Sequence, residues 1–436
     1  MINRIKIQGY KSFDDIDVRL EPLSVLFGPN GAGKSNFLDA LQLLSRFATS
    51  RTLKEAFEPP YRGKPLESFT FGPNGISDLV QRQKATLLME VDVDLSPAVI
   101  ARVDGQIREM KRAGVSAARD GDPRGTASFI RERNLRYRIE VEIHPKSGLL
   151  YVKDEYVAAL NRAGEPTGSR KPFLEFKDDR LHLRMEGQAH PTYHDTYLDH
   201  TILSLPLYYP HYPHLVALRE ELASWFFFYF EPRERMRMPN PVKEVRHIGL
   251  MGEDLASFLN TLKGVDEPQF EAVERALKSI IPTATGIDVD VNTLGEVELR
   301  IREGETLIPS RVVSEGTLRV LGLLALSGVK EPPALTGFEE PENGINPRRV
   351  RLVAELLRSR VASGDTQIIV TTHSPLFLDL IDEQSLFVCR KAKQRTLIEP
   401  FGSLGPLFRS REVEEAVDAE ESLPISQRIL RGDFDA

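Results

Sequence analysis

Apolar residues stand at every second position near the start of the chain, at Ile5 and Ile7 and again at Ile16, Val18 and Leu20. That period belongs to strands with one buried face. The run "LSVLF" at 23–27 is continuous instead, as suits a strand buried on both faces. The period then changes, and Phe37, Leu41, Leu44 and Ala48 share one face of a helix. Strands are predicted at 85–95, 135–144 and 181–185, with helical spacing near 97–113 and a breaker-rich loop at 119–128. Helices follow over 214–230, 253–263 and 267–281, the aromatic run "WFFFYF" forming the core-facing end of the first. Strands return in "IDVDV" and "EVELRIRE". After residue 330, short apolar runs alternate with helices: "PALTGF", "PRRVRLVAELLRSRVA", "TQIIVTT", "PLFLDLI" and "SLFVC". This is the grammar of an α/β protein.

Bulk properties narrow the class. A chain of 436 residues has room for a large core or two lobes. There is no internal repeat, low-complexity tract or sustained heptad pattern. No apolar run reaches the length of a membrane span, and the first ten residues pattern as a strand and not as a signal peptide. Cys389 is the single cysteine, which excludes a disulfide framework and favours a reducing, cytoplasmic setting. The net charge of −7 argues against nucleic-acid binding over the whole surface. A milder basic segment, 101–140, sets ten Arg and Lys against six Asp and Glu and reads as a solvated surface. The segment 401–436 leans acidic, with "REVEEAVDAEE" reading as an exposed helix.

Three stretches carry chemistry. "GPNGAGKS", comprising Gly28, Pro29, Asn30, Gly31, Ala32, Gly33, Lys34 and Ser35, fits G-x-x-x-x-G-K-[ST] between a strand and a helix. Its glycines let backbone N–H groups turn toward phosphate oxygens, Lys34 supplies a point charge, and Ser35 can ligate Mg²⁺. Asn36 continues the loop into the helix. "GFEEPENG" delivers Glu339 and Glu340 at the carboxyl end of a buried strand, where open α/β sheets bind ligands. The first carboxylate suits Mg²⁺ and the second suits polarising an attacking water, neighbouring strand positions facing opposite ways. In "IIVTTHSP", His373 follows an apolar strand directly, a place from which a histidine can hydrogen-bond a γ-phosphate.

In this order, the motifs resemble the ABC-type ATPase superfamily. The likeness is to its soluble branch: RecF, the overcoming-lysogenization-defect (OLD) nucleases, and the heads of structural-maintenance-of-chromosomes (SMC) proteins. "IKIQGYKSF" is similar to the opening strand of that branch, with Lys11 and Ser12 where the family lines the nucleotide. Ser314, Glu315, Gly316 and Thr317 look like a shortened signature loop, which in the family closes over nucleotide held by another subunit. Ser314 and the Gly316 N–H are its phosphate-facing groups, and Asn343 and Gly344 look like the loop that crosses the same interface. The family usually has Asp-Glu where Glu339 and Glu340 stand. A phosphate-contacting glutamine is expected upstream, with Gln81 and Gln83 as candidates.

The resemblance implies an α/β P-loop ATPase head with an antiparallel N-terminal β lobe and a mixed α+β insert. The head is expected at 1–95 and 285–400, the insert at 96–284 and an acidic segment at 401–436. ATP and Mg²⁺ are the implied cofactors, and a homodimer around ATP the implied assembly. The client stays open between DNA or a partner nuclease or effector, as in genome maintenance or phage defence, and a protein partner without nucleic acid. A third reading is a self-contained metal-dependent nuclease built on His190, His194, His200, His211 and His214, five of the nine histidines. The arginines of "RERMRM" could meet nucleic-acid phosphates or simply solvent.

Overall fold

The alternation at the start of the chain becomes two antiparallel strands, Ile2–Tyr10 and Phe13–Arg19, with Ile5 opposite Val18 and Ile7 opposite Ile16. Alternate side chains point to one face, so all four are buried. The computed structural model describes residues 1–114, 128–168, 170–188, 190–327, 332–393, 395–403 and 424–430. The expected acidic helix near the C-terminus, and all but the last residue of the loop at 119–128, lie outside them. The chain divides into two units. The first comprises Met1–Glu21, Gly31–Trp225 and Cys389–Glu399; the second comprises Pro22–Asn30, Phe226–Val388 and Pro400–Ala436.

The first unit is built on one eight-stranded sheet. Its order is Phe13–Arg19, Ile2–Tyr10, Ala85–Asp94, Asn134–His144, Leu149–Ala159, Leu174–Lys177, Arg180–Leu183 and Thr192–His194. Neighbours are antiparallel throughout. The helix Lys34–Thr49 buries Phe37, Leu41, Leu44 and Ala48, the face the spacing predicts. Phe37 meets Phe13 edge-on at 6.4 Å, and truncating a buried phenylalanine costs about 3–5 kcal/mol. The helix packs against Pro213–Ala223, where the Ser45 hydroxyl donates to the Leu222 carbonyl at 2.7 Å.

The strand Leu149–Ala159 escapes the alternation reading. An irregular register opposite Glu140 and Val141 adds one residue, and Glu155 occupies a buried position where an apolar residue would be expected. Its carboxylate accepts the backbone N–H groups of Ile202 (2.6 Å) and Leu203 (3.1 Å) and the Tyr137 hydroxyl (3.2 Å). Burial pushes its carboxyl up to about 7, against those hydrogen bonds, which pull it down.

The predicted helix over 214–230 is corrected. It ends at Ala223, and Trp225–Phe228 is a strand. Successive aromatic rings fit a pleated, buried ribbon better than a helix, which would carry one of them into solvent. Phe227 and Phe228 are buried, and Phe228 stacks on Phe338 at 5.7 Å. The run is therefore core, as expected, but in a different element.

The second unit carries the α/β alternation. Its strands stand in the order Trp225–Phe228, Leu335–Glu339, Gln367–Thr372, Leu23–Phe27 and Leu386–Ala392, the last four parallel. All five residues of Leu23–Phe27 and all six of Gln367–Thr372 are buried, which explains why neither run carries a charge or alternates apolar with exposed polar positions. The helix Pro347–Ala362 packs on these strands, with Pro347 at its first turn and the Asn346 side chain accepting the Arg348 N–H at 3.0 Å. Helices Leu255–Val265, Glu267–Ile280 and Glu315–Ser327 pack together beside the antiparallel strands Gly286–Val291 and Glu296–Glu303. Among the described residues no helix is long and apolar enough to cross a membrane.

Candidate nucleotide site

Three neighbouring parallel strands of the second unit end at one edge. Glu339 pairs with Thr371, Thr371 with Leu26, and Thr372 with Phe27. The residues next after each strand therefore gather at that edge: Glu340, His373 and Gly28. Ligands of open α/β sheets bind at this end of the strands.

Glu339 is the last strand residue, but Glu340 has already left the strand, with φ of 48°. The expectation that the two carboxylates diverge as strand neighbours is corrected in its cause. A left-handed turn separates them, a conformation that costs a residue with a Cβ roughly 1–2 kcal/mol. The turn is held by the Glu340 N–H donating to the Thr371 carbonyl (2.8 Å) and the Asn343 N–H donating to the Glu340 carbonyl (3.1 Å). The Asn343 side chain donates to Glu340 Oε2 at 3.3 Å, and His373 Nε2 lies 3.3 Å from Glu340 Oε1. A histidine and a glutamate thus meet at the strand ends.

The phosphate loop runs out of the second unit through Gly28, Pro29 and Asn30 and opens the first with Gly31, Ala32 and Gly33. The helix begins at Lys34, as its spacing predicts, with Gly33 at its cap. Gly33 has φ of 103°, and a Cβ there would strike the hydroxyls of Thr396 and Ser12. Only glycine fits. The Thr396 hydroxyl donates to the Ala32 carbonyl at 2.8 Å and lies 2.7 Å from Ser12 Oγ, which accepts the Asn36 amide at 3.0 Å. Ser12, Asn36 and the loop are thereby tied together. Lys34 is buried, and Ser35 is partly so.

Lys11, at φ of 44°, directs its ammonium to Asp39 Oδ2 at 2.7 Å, and Arg62 Nε donates to Asp39 Oδ1 at 3.0 Å. Asp39 projects from the helix that follows the loop, so one buried carboxylate holds two cations, one of them Lys11 from the turn that also carries Ser12. The motif reading missed Asp39, Arg62 and Thr396. None lies in a recognisable motif, and folding brings Thr396 to the loop and Arg62 and Lys11 to Asp39.

The Ser314 stretch caps the helix Glu315–Ser327: Ser314 Oγ accepts the Thr317 N–H at 3.2 Å and pairs with the Thr317 hydroxyl at 2.7 Å. Ser314 itself is exposed. Gly316 packs on the carbonyl of Gly344, where a Cβ would collide. The start of the signature-like helix therefore rests on the loop that carries Glu340. Two of the three "RERMRM" arginines serve this turn: Arg233 pairs with Glu315 at 2.5 Å, and Arg237 donates to the Val313 carbonyl at 2.9 Å. The half-buried Arg319 of the same helix senses the charges of Glu315, Glu340 and Glu342, while burial holds its guanidinium below the ordinary arginine value.

The histidine-rich stretch does not assemble a metal site. His214 is 1% exposed, its Nδ1 lies 2.7 Å from Glu186 Oε1, and its Nε2 accepts the N–H groups of Arg131 and Glu132 at 3.1 and 3.0 Å. His200 pairs with Asp199, His211 stacks edge-on against Tyr208, and His190 is exposed. Burial lowers the pKa of His194. Among the described residues, no group of three or more His, Cys, Asp or Glu is placed to hold a metal. Gln81 and Gln83 are both exposed, just ahead of the strand Ala85–Asp94.

Residues 119–379 match the family described as "AAA domain, putative AbiEii toxin, Type IV TA system", and residues 1–90 match an "AAA ATPase domain". The chain belongs to this AAA family. It is a nucleotide-binding ATPase of the ABC type, in the branch of RecF, OLD and SMC proteins. The ATPase is 21% identical over 405 residues to the OLD nuclease of Thermus scotoductus, an alignment covering 91% of this chain and 63% of that protein. It thus spans less than two thirds of that relative's length. It is also 25% identical over 174 residues to the DNA replication and repair protein RecF of Beutenbergia cavernae, covering 37% of this chain and 40% of RecF. Its fold is similar to that of an SMC head solved with the C-winged helix domain of ScpA, at a TM-score of 0.51 and 13% identity, covering 91% of this chain and 97% of that one.

Proposed function

We propose that this ATPase is a nucleotide-driven switch in which two copies close around ATP and hydrolysis releases them. The carrying observation is the convergence of Glu340, His373 and Gly28 at the ends of three adjacent parallel strands. Gly28 to Ser35 cradle the phosphates, with Lys34 as the point charge and Asn36, Lys11 and Ser12 lining the nucleotide. Glu340 accepts a proton from the attacking water, and His373 donates to the γ-phosphate. Ser35 and Glu339 present hard oxygen donors of the kind Mg²⁺ takes, and Mg²⁺, when bound, offsets phosphate charge.

Ser314 and the Gly316 N–H meet the nucleotide of the second copy, so that both copies contact ATP only when closed. Such differential contact is what lets a ligand shift the equilibrium. The exposure of Ser314 and its cap on the helix Glu315–Ser327 support this reading. The client is DNA, or a nuclease or effector licensed by the closed state, in cytoplasmic genome maintenance or phage defence. The names of the OLD nuclease and RecF relatives support it, and the lone, buried Cys389 suits a reducing compartment. The test is an electrophoretic shift of duplex DNA by the Glu340→Gln protein. A shift seen with ATP and lost with ADP supports the DNA switch. Equal migration in both removes DNA and leaves a protein client.

A further inference from the structure

Glu342 belongs to none of these roles, yet it is 7% exposed two residues beyond Glu340. The Thr372 hydroxyl donates to Glu342 Oε1 in a short contact. The same Thr372 oxygen accepts the Ser374 N–H at 2.9 Å. Thr372 and Ser374 are the two neighbours of His373. One carboxylate thus connects the turn that carries Glu340 to both flanks of the histidine.

The arrangement is expensive as mere filling. Glu342 Oε2 is buried without a hydrogen-bond partner, and burial pushes the carboxyl above its ordinary range. Arg319 offsets part of that charge from a distance. An apolar side chain of similar volume would fill the space at lower cost. What an apolar group lacks is an acceptor aimed at Thr372.

We infer that Glu342 is a positioning residue for hydrolysis, fixing the backbone on both sides of His373 through Thr372 and so holding Nε2 within reach of Glu340. The inference rests on the roles proposed for Glu340 and His373. A displacement of about 1 Å at such a site costs roughly 10²-fold in rate.

The test compares steady-state ATP hydrolysis and ATP binding in Glu342→Ala, Glu342→Gln, Thr372→Val and Thr372→Ser, with Glu340→Gln and His373→Ala as references. Glu342→Ala and Thr372→Val are expected to lose about 10²-fold in kcat with little change in ATP affinity. Glu342→Gln and Thr372→Ser keep an acceptor and a hydroxyl and should recover most of the rate. Adding His373→Ala to Glu342→Ala should slow it no further than His373→Ala alone. Native kcat in Glu342→Ala, equal loss in Glu342→Gln, or additive loss with His373→Ala overturns the inference while leaving the site reading intact. Native hydrolysis in both Glu340→Gln and His373→Ala overturns the site reading and the inference with it.

Discussion

Two histidine–glutamate pairs divide the molecule by purpose. In the first unit, His214 is a cross-link. Its Nδ1 faces Glu186, its Nε2 accepts two backbone N–H groups, and its ring stacks on Phe173 at 4.7 Å. In the second unit, His373 is 35% exposed and stands 3.3 Å from Glu340 at the ends of parallel strands. The residue types are the same. The difference is burial: the His214 ring is enclosed, whereas the His373 ring reaches solvent. A histidine with both nitrogens committed to buried partners orders a loop, whereas a solvent-exposed one beside a carboxylate is accessible to a ligand. Density of histidines in the sequence draws attention to the buried pair, and position at a strand end to the exposed one.

The largest effect that sharpens this contrast is expected from Glu340→Gln. Phosphate release should fall by about 10²–10⁴-fold, since the amide cannot take a proton from water. ATP affinity should be nearly unchanged by equilibrium titration. His373→Ala should come next, with kcat down on the order of 10²-fold and the thermal midpoint nearly native. His214→Ala should do the reverse, retaining kcat per folded molecule while losing about 2–4 kcal/mol of stability, because the N–H groups of Arg131 and Glu132 lose their acceptor. If the two histidine variants exchange these outcomes, the contrast is broken.

A smaller effect is expected from Ser314→Arg, which should leave nucleotide binding by one copy intact and lower turnover roughly tenfold, the size of an effect worth about 1.4 kcal/mol. Unchanged turnover removes Ser314 from the active site. The last expected effect is on stability rather than turnover and concerns Glu155. Its folded carboxyl titrates near 7, above its ordinary value of 4.5, so the native state keeps a proton that the unfolded chain has released. Its contribution is fully present below the unfolded value and is lost as pH rises through about 7. Thermal melts of the native protein should therefore show a downward trend from pH 5 to pH 8 that Glu155→Gln flattens. An equal slope in the variant contradicts the assignment.

The nucleotide end was legible because its strands are buried on both faces. "LSVLF", "ALTGF" and "TQIIVTT" read as short, largely apolar runs free of charged residues, and the candidate site residues come directly after each run. The helix after the phosphate loop was legible for the same local reason. Less local features escaped. The strand Leu149–Ala159 hides behind an added residue and the inward Glu155. "WFFFYF" carried too little periodicity to separate a strand from the end of a helix. Asp39, Arg62, Thr396 and Glu342 acquire their partners only through tertiary packing, since the residues they touch lie far away in sequence or around a turn.

The central proposal is closure of two copies on ATP, and it is tested most directly by the mass of Glu340→Gln in solution. With ATP and Mg²⁺ the protein should sediment at twice the mass of one chain, and without nucleotide at the mass of one. A protein that binds ATP and still sediments as a single chain would contradict the composite site.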